Sequence, residues 1–145
     1  MMIYTEQTKK AMQLCFAAHK EQTDKSGMPY VFHPFHLAEQ MCDEDTVTVA
    51  LLHDVVEDSD YSIEDLRQMG FSAAVTDALQ LLTHDPAVPY MEYVASIKSN
   101  PVARAVKLAD LAHNSDLSRL APDEIDEWAL ARQKKYQNAI AFLQS

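Results

Sequence analysis

Apolar residues recur at helical spacing in successive segments of the chain, and short polar or proline-containing breaks separate these segments. The first segment predicts a helix over Tyr4–Lys20, with Thr5 placed to cap its start. After a loop, His33 stands at the expected cap of a second helix that begins at Pro34 and runs to about Cys42. Further helices are predicted over Thr46–Asp58, Ser62–Met69, Ser72–Thr83, Tyr90–Lys98, Pro101 to about Ala112, and Glu124–Leu143. Ser62 and Asp65 have the pattern of a capping box, and Asn100 is the predicted cap before Pro101.

The segment Thr46–Asp58, with the sequence TVTVALLHDVVED, has the strongest pattern. Its first half is apolar and free of glycine and proline, which predicts a helix that is capped by Thr46 and buried on most sides. Its β-branched residues would also permit a short strand. Its second half is charged. On a helix, Glu57 lies four residues after His53 and three after Asp54, so these side chains share a face.

Length and composition limit the fold class. The chain has 145 residues, of which 48% are hydrophobic, and this is enough for one globular domain over residues 1–145. Only 2 glycines occur, which disfavours a β-rich fold with many tight turns as well as glycine-rich phosphate loops. Together with the helical spacing, this composition predicts an all-α, single-domain fold of about six to eight helices.

Charge and hydropathy limit the possible partners. The formal net charge of −10 disfavours nucleic-acid binding, which needs a basic face. It still allows an anionic small molecule, because a metal and a few local basic residues can reverse the field inside one cleft. No segment has the length and hydropathy of a membrane span or of a signal segment, so we expect a cytoplasmic location and no membrane partner. Homo-oligomerisation stays open.

A cluster of polar residues follows the apolar half of the central segment, and it is costly to bury without partners, so it is either solvated or neutralised by a cation. His33 at a helix start and Asp110 in an otherwise apolar helix offer further ligands. With His53 and Asp54 they form a mixed nitrogen and oxygen set, which suits Mn²⁺, Fe²⁺, Co²⁺, Ni²⁺ or Zn²⁺ better than Ca²⁺. The plainer alternatives are helix capping by His33 and an ion pair between Asp110 and Lys107.

Three segments resemble successive motifs of a known family: KSGMPYVFHP (Lys25–Pro34), ALLHDVVED (Ala50–Asp58) and NPVARAVKLADLAHN (Asn100–Asn114). Their order and spacing are similar to those of HD-domain metal-dependent phosphohydrolases. Within that family they resemble the hydrolase domain of RelA/SpoT-type enzymes and the small stand-alone alarmone hydrolases. The resemblance implies removal of the 3′-pyrophosphate from guanosine tetra- and pentaphosphate, with a metal-bound water attacking phosphorus.

The resemblance also implies roles for individual residues. Glu57 and Asp58 match the acidic pair that positions or deprotonates the attacking water. Asn114 matches a residue that contacts the nucleoside, and Lys25 and Ser26 match positions beside the base and ribose. Lys107 is a further candidate for the substrate cleft, with a solvated surface as the alternative. The implied ion is Mn²⁺, and its implied ligands are His33, His53, Asp54 and Asp110.

Two positions depart from the family pattern. Where the family often has arginine, this chain has Asp24 immediately before Lys25 and Asp116 two residues after Asn114. Both changes replace positive charge with negative charge in the expected nucleotide pocket, and they leave the metal residues untouched. Two alternatives therefore stand beside the guanosine polyphosphate: another nucleotide or phosphoester as substrate, or a catalytically weak metal- and nucleotide-binding sensor module.

The other histidines and aromatic residues have plainer interpretations. His113 is expected to be a core group or a supporting group behind the metal ligands. His84 and Asp85 are expected to form a turn, because Pro86 follows them. Trp128 is expected to lie in the core or in an interface.

Overall fold

The structure is a computed structural model that describes every residue from Met1 to Ser145. Eight of its α-helices have six or more residues, and one further helix is a single turn, so the predicted all-α fold of six to eight helices is confirmed. No strand is present apart from an isolated bridge between Thr23 and Pro29. The α-helices are α1 (Glu6–His19), α2 (Phe32–Glu39), α3 (Glu44–Leu52), α4 (Val55–Asp58), α5 (Ile63–Gln68), α6 (Ala73–Leu82), α7 (Tyr90–Ile97), α8 (Pro101–Asn114) and α9 (Glu127–Gln144), with 3₁₀ turns at Leu117–Arg119 and Pro122–Glu124.

Three of these helices begin at the caps that the sequence predicts. Thr5 caps α1 and Ser62 caps α5, each in a reciprocal capping box with the side chain three residues further on. Asn100 caps α8, and Pro101 occupies the first helical position, where a missing N–H costs nothing. This start sets the register of α8 and therefore the direction in which Asp110 points. None of the helices combines the length and apolar character that crossing a membrane requires.

Helix α3 lies at the centre of the core. Every residue from Thr46 to Leu52 is buried, because this run presents no charged face. The helix packs against α1, α2, α6 and α8, so it is covered on most sides, as the sequence predicts. The short strand that its β-branched residues also permit does not form.

The predicted single helix over Thr46–Asp58 is wrong at both ends. Its cap is Asp43, whose carboxylate accepts a hydrogen bond from the Thr46 amide at 2.8 Å, so the acidic residues before Thr46 form the first turn. The helix ends at Leu52, and Asp54 has backbone angles of φ −105° and ψ −1° between α3 and α4. Adjacent residues on a regular helix point in different directions. The break therefore allows His53 and Asp54 to face the same point.

The capping role considered for His33 is also wrong. Backbone turns from Pro29 and Tyr30 lead directly into α2, so the helix begins at Phe32 and His33 lies buried inside its first turn. Pro34 is still accommodated, because the first amides of a helix have no intrahelical acceptor. Helix α2 ends at Glu39, earlier than predicted, and α9 begins later than predicted, after an Asp126 cap.

Candidate metal centre

Four side chains from separate parts of the chain converge at one point beside the core. One ligand atom from each of them lies within 4.8 Å of the others. His33 comes from the first turn of α2, His53 and Asp54 come from the break between α3 and α4, and Asp110 comes from α8. The structure thus brings together all four residues that the sequence predicts as metal ligands.

These four side chains are poorly solvated and closely spaced. His33 Nε2 lies 2.9 Å from Asp110 Oδ1, and His53 Nε2 lies 2.9 Å from Asp54 Oδ2 and 3.5 Å from Asp110 Oδ1. The side chain of Asp110 is 9% exposed and that of Asp54 is 19% exposed. Two carboxylates in such a setting repel each other unless positive charge lies between them. A divalent cation would supply that charge.

The hydrogen bonding of His53 fits a metal ligand. Its Nδ1 lies 2.6 Å from the carbonyl oxygen of Ala50, which can only accept, so Nδ1 carries the proton. Burial alone would lower the pKa of His53, but the carboxylates of Asp54 and Asp110 outweigh it and raise the pKa well above its usual value, so without a cation the ring itself carries the positive charge. With a cation bound in its place, the ring would be neutral and Nε2 would offer its lone pair. Nε2 is buried without a hydrogen-bond partner that meets full geometric criteria, although two carboxylate oxygens, of Asp54 and Asp110, lie within 3.5 Å of it. A lone pair aimed at two carboxylates is the arrangement that a metal ion completes.

His33 is supported from behind by a second histidine. Its Nδ1 lies 2.6 Å from His113 Nδ1, and the two rings lie nearly in one plane, edge to edge, with their centroids 4.9 Å apart. Burial and the positive charge of Arg119 lower the pKa of His113 to about 4, so this ring is neutral near neutral pH and can accept a hydrogen bond. In this structure His33 Nε2 hydrogen-bonds to Asp110 Oδ1 at 2.9 Å. If a cation took Nε2, His33 could still donate from Nδ1 to the His113 ring. This contact agrees with the supporting role predicted for His113.

The Asp110 carboxylate has several charged and polar neighbours. Lys107 Nζ lies 3.1 Å from Oδ2, and Asn114 Nδ2 donates to Oδ1 at 2.9 Å. Burial opposes the charge on Asp110, but Lys107, His33 and His53 outweigh it and hold the pKa of Asp110 well below its usual range. Asp110 is thus a carboxylate at neutral pH. The ion pair with Lys107 that the sequence suggests as an alternative is present, and it coexists with the convergence on the histidines.

The two acidic residues of α4 lie beside this centre. Glu57 lines a small cavity of about 30 Å³ together with His53, Asp54 and Asp110. Its carboxylate accepts a hydrogen bond from the His84 amide at 2.6 Å, so the predicted turn at His84 helps to fix its position. The helical face that predicted this proximity is interrupted by the break before α4, yet Glu57 remains next to His53 and Asp54.

Asp58 is half-buried and differs electrostatically from an ordinary surface aspartate. Burial and the nearby negative charge of Asp54 raise the pKa of Asp58 to about 6. Its backbone carbonyl accepts a hydrogen bond from the Gln22 side chain at 3.0 Å, which ties α4 to the end of α1. A carboxylate with a pKa near neutrality can exchange a proton with water at physiological pH.

Tyr30 is a site residue that the sequence analysis missed. Its hydroxyl donates to Asp54 Oδ2. Burial, together with the charge of Asp54, raises the pKa of Tyr30, so the hydroxyl stays protonated. Tyr30 lies within the first of the three motifs, but it falls in a segment that reads as a loop. Its buried contact could therefore not be inferred from helical spacing.

A larger cavity of about 220 Å³ adjoins the centre on the side of Tyr30 and Asn114. The 21–30 loop forms one wall, and the segment from α8 to α9 forms the other. Three predicted substrate residues line it, along with basic residues that the sequence analysis did not single out. The lining residues are Thr23, Asp24, Lys25, Ser26, Tyr30, Asn114, Asp116, Leu117, Arg119, Leu120, Ala129 and Arg132.

Lys25 and Ser26 make protein contacts across this cavity. Lys25 Nζ lies 3.5 Å from the centre of the Trp128 ring. Ser26 Oγ donates to the Arg119 carbonyl oxygen at 3.1 Å and lies 3.0 Å from Glu124 Oε1. Trp128 is 54% exposed, so it lies at the surface beside Lys25 rather than in the core. Of the predicted substrate residues, Lys107 lies apart from this wall, against Asp110 and the smaller cavity.

The two acidic departures have structural roles. The carboxylate of Asp24 accepts hydrogen bonds from the amides of Ser26 and Met28 at 2.9 Å and 3.0 Å. Asp116 caps the following 3₁₀ turn by accepting from the Ser118 amide at 3.0 Å. Arg119 supplies positive charge close by, with its Nη2 atom 3.6 Å from Asp24 Oδ2. The cavity is therefore not as acidic as these two substitutions alone suggest.

Comparison with known proteins gives a consistent result. The HD domain family model matches residues 11–84. Guanosine-3′,5′-bis(diphosphate) 3′-pyrophosphohydrolase MESH1 of Mus musculus is 34% identical over 137 residues, which cover 83% of this chain and 74% of that protein. The bifunctional (p)ppGpp synthase/hydrolase SpoT of Escherichia coli (strain K12) is 31% identical over 123 residues, which cover 74% of this chain and 17% of that protein. The solved structure of a metazoan SpoT ortholog that hydrolyses ppGpp has the same fold, with a TM-score of 0.78 at 24% identity over 99% of this chain and 88% of that one.

Proposed function

The chain belongs to the HD-domain family and is a metal-dependent phosphohydrolase, and from this premise we propose that it removes the 3′-pyrophosphate from guanosine 3′,5′-bis(diphosphate). The convergence of His33, His53, Asp54 and Asp110 carries the proposal, in a chain whose relatives include hydrolases of this nucleotide. In this proposal, residues 1–145 form one domain, and its substrate is a small nucleotide. The proposed location is the cytoplasm. It requires no particular oligomeric state.

The residues that would hold the divalent metal are His33 and His53 through Nε2, together with the carboxylates of Asp54 and Asp110. Mn²⁺ is the proposed ion, with Fe²⁺, Co²⁺, Ni²⁺ and Zn²⁺ as alternatives for the same mixed ligand set. When bound, such an ion neutralises charge on phosphate oxygens and lowers the pKa of water. His113 and the Ala50 carbonyl keep the two imidazole rings in the tautomer that presents Nε2.

Glu57 and Asp58 are assigned to the attacking water. Asp58 is assigned as the proton acceptor, because burial and Asp54 raise its pKa to about 6, close to neutral pH. Glu57 is held by the His84 amide and lines the cavity beside the proposed ligands, so it is assigned to positioning the water. Tyr30 donates to Asp54 and keeps that carboxylate oriented.

The larger cavity is the proposed nucleotide site. Asn114 connects it to the metal centre, because its amide group donates to Asp110 while its carbonyl oxygen accepts from Arg119 at 3.4 Å. Lys25 and Ser26 line the opposite wall and are assigned to the base and ribose. Lys107, which points to Asp110, is assigned to the phosphate side.

A nucleotide panel tests the proposal. The purified chain is incubated with Mn²⁺ and with guanosine 3′,5′-bis(diphosphate), guanosine 5′-diphosphate and other phosphorylated nucleosides, and released pyrophosphate and phosphate are quantified. Pyrophosphate release that requires the 3′-pyrophosphate group supports the proposal. Turnover of only other substrates supports the second candidate, an HD phosphohydrolase for another nucleotide or phosphoester, which Asp24 and Asp116 favour. Binding without release supports a sensor module and contradicts hydrolysis.

A further inference from the structure

Arg119 is a fixed cation in the wall of the larger cavity. Its Nη1 atom donates to the His113 carbonyl oxygen at 2.9 Å and lies 3.4 Å from Asn114 Oδ1. Its Nη2 atom lies 3.6 Å from Asp24 Oδ2, and its side chain is 28% exposed. Three oxygen atoms thus hold the guanidinium in place before any ligand arrives. Its position is linked to the metal centre, because Asn114 also donates to Asp110.

Asp24 is held just as firmly on the facing loop. Its Oδ1 atom accepts from the amides of Ser26 and Met28, so the carboxylate cannot rotate freely. Its Oδ2 atom makes no hydrogen bond as short as these and faces Arg119. The two side chains therefore place a spare acceptor, on Asp24, beside spare donors, on Arg119, along one edge of the cavity.

This pair is better suited to a neutral base than to a phosphate. A carboxylate next to the guanidinium cancels most of its charge and repels phosphate oxygens. The adjoining wall is apolar, formed by Leu117, Leu120 and Ala129, and an apolar wall with a few fixed polar groups suits a flat ring. Unpaired positive charge lies elsewhere on the cavity wall, where Lys25 and Arg132 both lie against the face of Trp128.

We infer that Asp24 and Arg119 together read the base of the nucleotide and select guanine. Arg119 donates to the O6 acceptor of guanine, and Asp24 accepts from its N1–H group. Adenine presents the same two functions in reverse order, an amino donor at C6 and an acceptor at N1, so in the pose of guanine it opposes both groups. It could pair with them only after turning over in the cavity, which would redirect its ribose. The inference rests on the proposed function for the identity of the ligand. It assigns base specificity to a pair made of one loop residue, Asp24, and one residue of the 3₁₀ turn after α8, Arg119.

Nucleoside binding tests this inference without turnover. Affinities for guanosine and adenosine are measured by NMR titration of the full chain loaded with Zn²⁺, which is diamagnetic. We expect the parent to prefer guanosine, and Arg119→Ala to weaken guanosine about tenfold while leaving adenosine nearly unchanged. Arg119→Lys, which keeps the charge but loses the planar fork, should recover little of the preference. Arg67→Ala is the matched control, because Arg67 also pairs with a carboxylate, on exposed α5.

Comparing guanosine with guanosine 5′-diphosphate distinguishes a contact of Arg119 with the base from a contact with phosphate. Arg119→Ala should weaken guanosine and guanosine 5′-diphosphate by the same factor. A loss seen only with the diphosphate would make Arg119 a phosphate ligand and overturn the inference, as would a parent that does not prefer guanosine. Thermal unfolding of each variant checks that the fold is kept. A chain that selects guanosine but releases no pyrophosphate would refute the proposed function and leave this inference standing.

Discussion

His113 offers a sharp test of how the metal centre is supported. Its Nδ1 lies 2.6 Å from Nδ1 of His33, while the other ring nitrogen of His33, Nε2, faces Asp110. His113→Phe would keep a flat ring at this position but remove the acceptor for the His33 proton. His33 would then lose its orientation and its preferred tautomer, although every proposed ligand would still be present.

The expected size follows from that lost contact. Removing a partner that orients a metal-binding histidine typically weakens metal binding roughly 10- to 100-fold. This corresponds to about 1.4–2.8 kcal/mol, since each factor of ten is about 1.4 kcal/mol. The same difference should reduce the stabilisation that the metal gives against unfolding, because a bound ion stabilises the folded state by RT ln(1 + c/Kd), where c is the free metal concentration.

The assay is a competitive metal titration against a chelator, with thermal unfolding at fixed metal concentration as a second readout. His36→Phe is the control, because the His36 ring also lies near His113, at 4.3 Å between centroids, but His36 has no contact with a proposed ligand. His113→Gln supplies a carbonyl acceptor and should recover part of the affinity. Equal metal affinity in the parent and in His113→Phe would show that this support does not act as described.

Three further predictions concern the same centre. His53→Ala should abolish both metal binding and turnover, as measured by metal content and pyrophosphate release; retained turnover would exclude His53 as a ligand. Glu57→Gln should bind metal like the parent but turn over at least roughly tenfold more slowly, since a misplaced reacting group can cost about 10²-fold in rate; a parental rate would exclude its assigned role. Burial and Asp54 raise the pKa of Asp58 from 3.8 to about 6, so its protonated form favours folding and this contribution is lost as pH rises through that range. Metal-free Asp58→Asn should therefore melt above the metal-free parent at about pH 7.5 and lose this advantage below about pH 4, and a gain that does not depend on pH would contradict this cause.

Much of the fold follows from short-range physics that a sequence displays. Thr5, Ser62 and Asn100 cap the helices that they are predicted to cap, because each can satisfy a backbone amide within one turn. The four proposed ligands were also predictable, since two histidines and two aspartates in otherwise apolar surroundings need a common partner. The family resemblance then identified which distant residues belong together.

Features that depend on tertiary contacts could not be predicted from the sequence. The break between α3 and α4 leaves no glycine or proline as a signal, and its effect is to turn His53 and Asp54 toward one point. Arg119 lies in a 3₁₀ turn with no periodic pattern, and only the folded chain brings it 3.6 Å from Asp24. The two aspartates, Asp24 and Asp116, therefore suggested a more acidic cavity than the structure has, because the position of Arg119 could not be predicted.

Anomalous diffraction from crystals grown with Mn²⁺ tests the metal centre most directly. We predict one strong anomalous peak at the convergence of His33, His53, Asp54 and Asp110, with a ligand atom from each at about 2.0–2.3 Å. Soaking with guanosine 5′-diphosphate should leave that peak in place. A peak bound by other residues, or well-ordered crystals with no peak between these four side chains, would contradict the metal centre and the hydrolysis built upon it.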